Sequence, residues 1–126
     1  MKRGEVYWVE WPGRGSEQGG RRPSVVVQES VIIQNDTGNK FAPTVIVAAI
    51  TRSVKDYPVT VRLPAGEGGL KEEGCVNCAQ IQTIDKSHVG EYIGKLSAKK
   101  MAEVDQALRV SFGLQTQAAR VPPSKG

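Results

Sequence analysis

The sequence predicts a mainly β domain closed by one C-terminal helix, and three observations carry that prediction. Short apolar runs, alternating or continuous, follow one another from Glu5 onward, separated by clusters rich in Gly, Pro, Asn and Asp. One of them, TVIVAAIT, is apolar almost throughout, as a central strand covered on both faces is. A single stretch, starting at Ser97, carries its apolar residues at helical spacing.

Taken in order, GEVYWVEW alternates, with Val6 and Trp8 on one side and Tyr7 and Val9 on the other, and is the first strand. PGRGSEQGGRRP contains two prolines and four glycines, which end that strand and form a loop longer than a simple hairpin needs. SVVVQES runs directly into VIIQND. With only Glu29 and Ser30 between the two apolar triplets, the pair is expected to form one long strand bulged at Glu29-Ser30. NDTGNKFAP reads as a turn, TVIVAAIT as the central strand, RSVKDYP as a polar connection and VTVRL as an alternating strand. PAGEGGLKEEG is turn-rich, CVN and QIQTI complete the β portion, and DKSHVGEYIGK is expected to be an irregular or short helical crossing. The helix starts at Ser97 as N-cap and ends at Gly113. Its stripe of Met101, Val104, Leu108 and Phe112, with Ala107 and Ser111 beside it, is expected to pack on the sheet.

At 126 residues the chain has the length of one ordinary domain. Residues 1–114 form that domain, and 115–126, QTQAARVPPSKG, read as a flexible tail. No apolar run is long enough for a conventional transmembrane helix, and MKRGEVYWVE is too short and polar for a signal peptide core, so a cytoplasmic location is expected. The net charge of +4 is compatible with a polyanionic partner without requiring one. Cys75 and Cys78 form a lone CxxC with one histidine, His88, in the whole chain, too few ligands for a zinc centre; reduced strand thiols are expected. GxSxG, Walker and HExxH signatures are missing, and a two-histidine ribonuclease mechanism is excluded.

The loop GSEQGGRRP is the first candidate for chemistry. Its glycines let backbone amides approach a ligand closely, and a guanidinium offers a planar fork that matches phosphate oxygens. A mobile turn with two solvated arginines is the plain alternative. Thr51 is the second candidate: it ends the buried strand where the chain turns polar, so its hydroxyl can face a cleft. Arg21, Arg52 and Lys55 flank these positions and are either phosphate contacts or ordinary surface charges.

KRGEVYWVE, GSEQGGRRP, NDTGNKFAPTVIVAAIT and QIQTIDK occur in an order that resembles the MazF/PemK-type toxin family, across residues 2–114. The resemblance implies an SH3-like small β-barrel with a C-terminal helix. It also implies a homodimeric toxin of a toxin–antitoxin pair that cleaves single-stranded RNA with neither metal nor other cofactor. By the same resemblance Arg22 and Thr51 are the catalytic pair. Glu17, Ser16 and Gln18 line the RNA site, with Glu17 a candidate base. Gln80 is a further base-contacting position, and an antitoxin with an acidic segment is the protein partner.

Those residues make sense chemically. RNA supplies its own nucleophile, the 2′-hydroxyl, so an enzyme has only to align it, assist proton transfer and stabilise the phosphorane's charge. Arg22 suits the charge and Thr51 a hydrogen bond to a non-bridging oxygen; the expected products carry 2′,3′-cyclic phosphate and 5′-hydroxyl ends. Ser16, Gln18, Asn35 and Gln80 are expected to meet splayed bases, and Arg21 a phosphate. The chain departs from the family pattern by about six residues in VVVQESVIIQND, so Asn35 either keeps its place through a bulge or moves. Two other readings stay open: a barrel that binds RNA or protein without cutting, and a gyrase-poisoning toxin on a related barrel.

Overall fold

The alternation of EVYWVEW is realised as strand β1 (Glu5–Trp11) in a computed structural model that describes residues 1–12 and 26–114. It is followed by β2 (Val26–Ile32), helix α1 (Asp36–Phe41), β3 (Thr44–Thr51), β4 (Thr60–Leu63), β5 (Gly74–Asp85), β6 (Val89–Lys95) and helix α2 (Ala98–Phe112). The strands make one antiparallel sheet in the order β4-β5-β3-β2-β1-β6. The mainly β class with a C-terminal helix is thus observed.

Successive strand residues face opposite ways, and here both faces are buried. Val31, Ala48, Ile50 and Val76 belong to one cluster, which α2 covers with Val104, Ala107 and Leu108. Ile32, Val47 and Ala49, each next in sequence to a member of the first cluster, belong to a second with Val9 and Trp11. This is why TVIVAAIT is apolar without alternation. Phe112, expected in the helix stripe, is instead 58% exposed, because the buried stripe ends at Leu108 one turn earlier. Ser97 and Gly113 cap α2 as expected, the latter with φ of 72°.

β2 is a single strand, but it is not bulged at Glu29-Ser30. Its ladder with β1 runs in unbroken register from Val6↔Val31 to Trp11↔Val26. The two polar residues are accommodated by tertiary partners: Ser30, fully buried, accepts a hydrogen bond from Trp11 Nε1 at 2.9 Å, and Glu29 pairs with Arg52. A register shift occurs on β5 instead. Ala49 faces Asn77 while its neighbour Ala48 faces Ile81, so CVN and QIQTI are two parts of one strand joined through an irregularity.

Two further expectations are corrected. NDTGNKFAP is not a simple turn but contains α1, whose N-cap Asn35 accepts from the Gly38 amide at 2.8 Å. DKSHVGEYIGK is a 3₁₀ turn at Lys86–His88 followed by β6, which pairs with β1. Its glycines mark close backbone approach: a side chain at Gly90 would come within 3.3 Å of the Trp8 carbonyl, and one at Gly94 would strike the Gly68 carbonyl.

The end strands β4 and β6 do not pair, so the described sheet is open where a closed barrel was expected. The 3₁₀ turn Glu67–Gly69 packs against β6 at this gap, with the Gly69 backbone on Ile93 and Gly68 on Gly94. Glu67 also accepts from the Ser97 amide at 2.7 Å, joining this turn to the start of α2.

Candidate functional site

Thr51 is where the buried run of β3 ends. The alternation that buries Val45, Val47 and Ala49 carries Thr51 onto the same face, at a margin where it is only half-buried. Its Oγ1 donates to the Ser53 carbonyl at 3.2 Å and opens onto a cavity of about 370 Å³. Cys75 and Asn77 of β5 form the floor, since Thr51 pairs with Cys75 and Ala49 with Asn77, placing all of them on one face. Lys55, Tyr57 and Thr60 form the outer wall.

The wall is held by one hydroxyl. Thr60 Oγ1 lies 2.7 Å from the Lys55 carbonyl and 2.9 Å from that of Tyr57, and accepts from the Tyr57 amide at 3.0 Å. Asn77 Oδ1 accepts from the Ala79 amide at 2.9 Å, which fixes the amide's orientation. Lys55 has no acidic partner among the described residues. Arg52 differs: it is bound to Glu29 at 2.9 Å and reaches Glu72 at 3.7 Å, so its charge is already compensated.

The segment expected to bring Arg22 lies outside the described residues, with Ser16, Glu17, Gln18 and Arg21. Its attachment points are described. The β2–β3 ladder ends at Ser30↔Ala49, and Gln28 and Thr51 each lie two residues beyond that last pair on their strands. The chain leaves β2 just beyond, at Val26, so segment 13–25 joins the sheet at the Thr51 margin. Gln28 was not singled out by the sequence. Its Oε1 is buried and meets no hydrogen-bond donor among the described residues.

The other expected residues are placed differently. Gln80 is half-buried in the irregular part of β5; Asn77 and Ala79 line the Thr51 cavity and Gln80 does not. Asn35 lies past the end of β2, at the cap of α1. That is the opposite end of β3 from Thr51, seven strand residues or about 23 Å away. His88 is exposed and stands across β2 from this cavity, 4.0 Å from Glu10 beside a smaller cavity of about 240 Å³. Cys75 and Cys78 are both free and buried, in keeping with reduced strand thiols, and burial pushes the Cys78 thiol up to about 12. Among the described residues no three Cys, His, Asp or Glu side chains converge as a metal site would require, and no helix is long and apolar enough to cross a membrane.

Sequence patterning alone could not mark Asn77 or Tyr57. Asn77 sits in the strand between two cysteines, and Tyr57 precedes a proline in a polar connection; both become candidates only when the sheet gathers them around Thr51.

Residues 2–112 match the family model described as PemK-like, MazF-like toxin of type II toxin–antitoxin system. The chain is 45% identical over 119 residues to an endoribonuclease MazF of Staphylococcus saprophyticus, covering 92% of this chain and 94% of the relative. It is also 45% identical over 117 residues to an endoribonuclease MazF of Staphylococcus epidermidis, covering 90% and 92%. Among solved structures, a mycobacterial endoribonuclease in complex with its cognate antitoxin superposes with a TM-score of 0.74 at 24% identity, over 90% of this chain and 96% of that one.

Proposed function

The chain belongs to the PemK-like, MazF-like family of type II toxins, and from that premise we propose that it is a metal-independent endoribonuclease cutting single-stranded RNA at short sequence motifs. The observation that carries the reading is the position of Thr51. Its hydroxyl opens onto a cavity at the margin of the sheet to which the Arg22 segment is attached.

In this mechanism the 2′-hydroxyl of the substrate attacks the adjacent phosphorus, and the 5′-oxygen of the next nucleotide leaves. The nucleotide before the cut is left with a 2′,3′-cyclic phosphate and the one after it with a 5′-hydroxyl. Thr51 turns its hydroxyl from the Ser53 carbonyl to a non-bridging oxygen. Arg22 stabilises the extra negative charge of the phosphorane and protonates the leaving oxygen, while Glu17 takes the proton from the 2′-hydroxyl. Ser16, Gln18 and Gln80 contact bases, Arg21 a neighbouring phosphate. Asn35 serves as the cap of α1 and has no part in this reading.

The protein acts in the cytoplasm as a homodimer, and its cognate antitoxin blocks it with an acidic segment laid across the RNA site. The antitoxin-bound mycobacterial structure supports an antitoxin as the protein partner. Incubation of the purified protein with a long single-stranded RNA in excess EDTA tests the activity. Discrete fragments are expected, and intact RNA, or cleavage abolished by EDTA, would overturn the proposal.

A further inference from the structure

We propose that the cavity beside Thr51 is a nucleobase subsite that selects a keto base, uracil or guanine, through Tyr57 and Asn77. The inference rests on the RNA-cleaving reading above and adds the chemistry by which one base is chosen.

The volume of about 370 Å³ falls within the roughly 300–1,000 Å³ of small-ligand sites. Tyr57 lines the cavity yet is 58% exposed, so an aromatic face is available at the rim. The Thr60 hydroxyl, through its contacts with the Lys55 and Tyr57 backbones, holds that rim in place without a ligand. An exposed ring carried on a held backbone beside a scissile-phosphate position is a platform on which an unstacked base can settle.

Polarity then decides which base. Asn77 Oδ1 is occupied by the Ala79 amide, so the amide offers the cavity its Nδ2 hydrogens. The carbonyls of Lys55 and Tyr57 both lie within hydrogen-bond distance of the Thr60 hydroxyl. Lys55 adds further donor hydrogens at the wall. Among the described residues, the side chains of Asn77 and Lys55 thus present donors to a base in the cavity. Uracil and guanine present keto oxygens at the positions where cytosine and adenine present amino groups, so the keto pair is accepted and the amino pair meets donor against donor.

The experiment is an NMR titration of the purified full chain with the four ribonucleoside 5′-monophosphates, following the Asn77 side-chain amide and the Tyr57 ring. Shifts of both groups are expected with the uridine and guanosine nucleotides, with affinities about tenfold above those for cytidine and adenosine. Asn77→Asp keeps the acceptor for the Ala79 amide and replaces the donor by an acceptor, so the ratio should reverse. Its added charge weakens all four nucleotides together and cancels in that ratio. Tyr57→Ala should weaken every nucleotide, and Tyr57→Phe should retain binding. Equal affinity for all four, shifts confined to other residues, or an Asn77→Asp variant with the original preference would overturn the subsite. Failure of the wild-type protein to cleave RNA while these shifts persist would count against the enzyme reading and leave the subsite standing.

Discussion

Arg52 donates from Nη2 to the Glu29 carboxylate at 2.9 Å, which fastens the residue after Thr51 to the middle of β2. The pair is asymmetric, with the Glu29 side chain 10% exposed and that of Arg52 46%. Arg52→Ala strands a nearly buried carboxylate and should lower stability by about 2 kcal/mol, below a fully buried pair because one partner is wet. Glu29→Gln leaves a guanidinium that water can reach and should cost less. Urea unfolding of the two single variants and the double variant checks the order, and the double should recover part of the Arg52→Ala loss.

Ser30 is fully buried and accepts the indole hydrogen bond of Trp11. Ser30→Ala leaves that N–H without an acceptor and should cost about 1–3 kcal/mol. The same urea titration measures it, and a change in Trp11 fluorescence should accompany the loss.

The gap between β4 and β6 depends on backbone contact that a side chain would block. A Cβ at Gly94 would collide with the Gly68 carbonyl, whereas one at Gly66 has open space around it and suffers only from its φ of 96°. Gly94→Ala should therefore lower stability by about 2–4 kcal/mol and Gly66→Ala by about 1–2 kcal/mol, read from thermal unfolding of the two proteins side by side.

Alkaline pH should unfold the protein through Cys78 and Tyr7. Burial holds the Cys78 thiol at about 12 against an ordinary 9.0, so the fold keeps a proton that the unfolded chain releases. That contribution is intact below pH 9 and is lost as pH rises from 9 to 12. Tyr7, raised from 10.0 to about 12 by burial and by its hydrogen bond to Glu5, adds to the decline above pH 10. Denaturant titrations at stepped alkaline pH should show the fall, and Cys78→Ala should make it shallower.

What the sequence disclosed follows from where local pattern and tertiary packing agree. β1, β3 and α2 were legible because alternation, a continuous apolar run and a capped helical stripe each state their own burial. β6 was hidden because Gly90 and Gly94, which look like turn formers, serve close approach to Trp8 and Gly68. α1 was hidden because Asn35, Asp36 and Gly38 favour a turn as much as a capped helix. Glu29 and Ser30 suggested a bulge since their partners, Arg52 and Trp11, are distant in sequence. At the site, the position of Thr51 as a strand end was legible. The wall of Lys55 and Tyr57 and the Asn77 floor needed the β3, β4 and β5 register to bring them together.

Attack by the substrate's own 2′-hydroxyl is tested with one RNA cut by the protein in EDTA and the same RNA with a single 2′-deoxy nucleotide immediately before the cut. A 2′,3′-cyclic phosphate and a 5′-hydroxyl are expected at the cut ends of the first RNA, no cut at that position in the second, and a loss of about 10²-fold or more in rate with Thr51→Ala. Cleavage of the deoxy-substituted RNA at the same position would contradict that mechanism, because the attacking oxygen would then have come from somewhere other than the substrate.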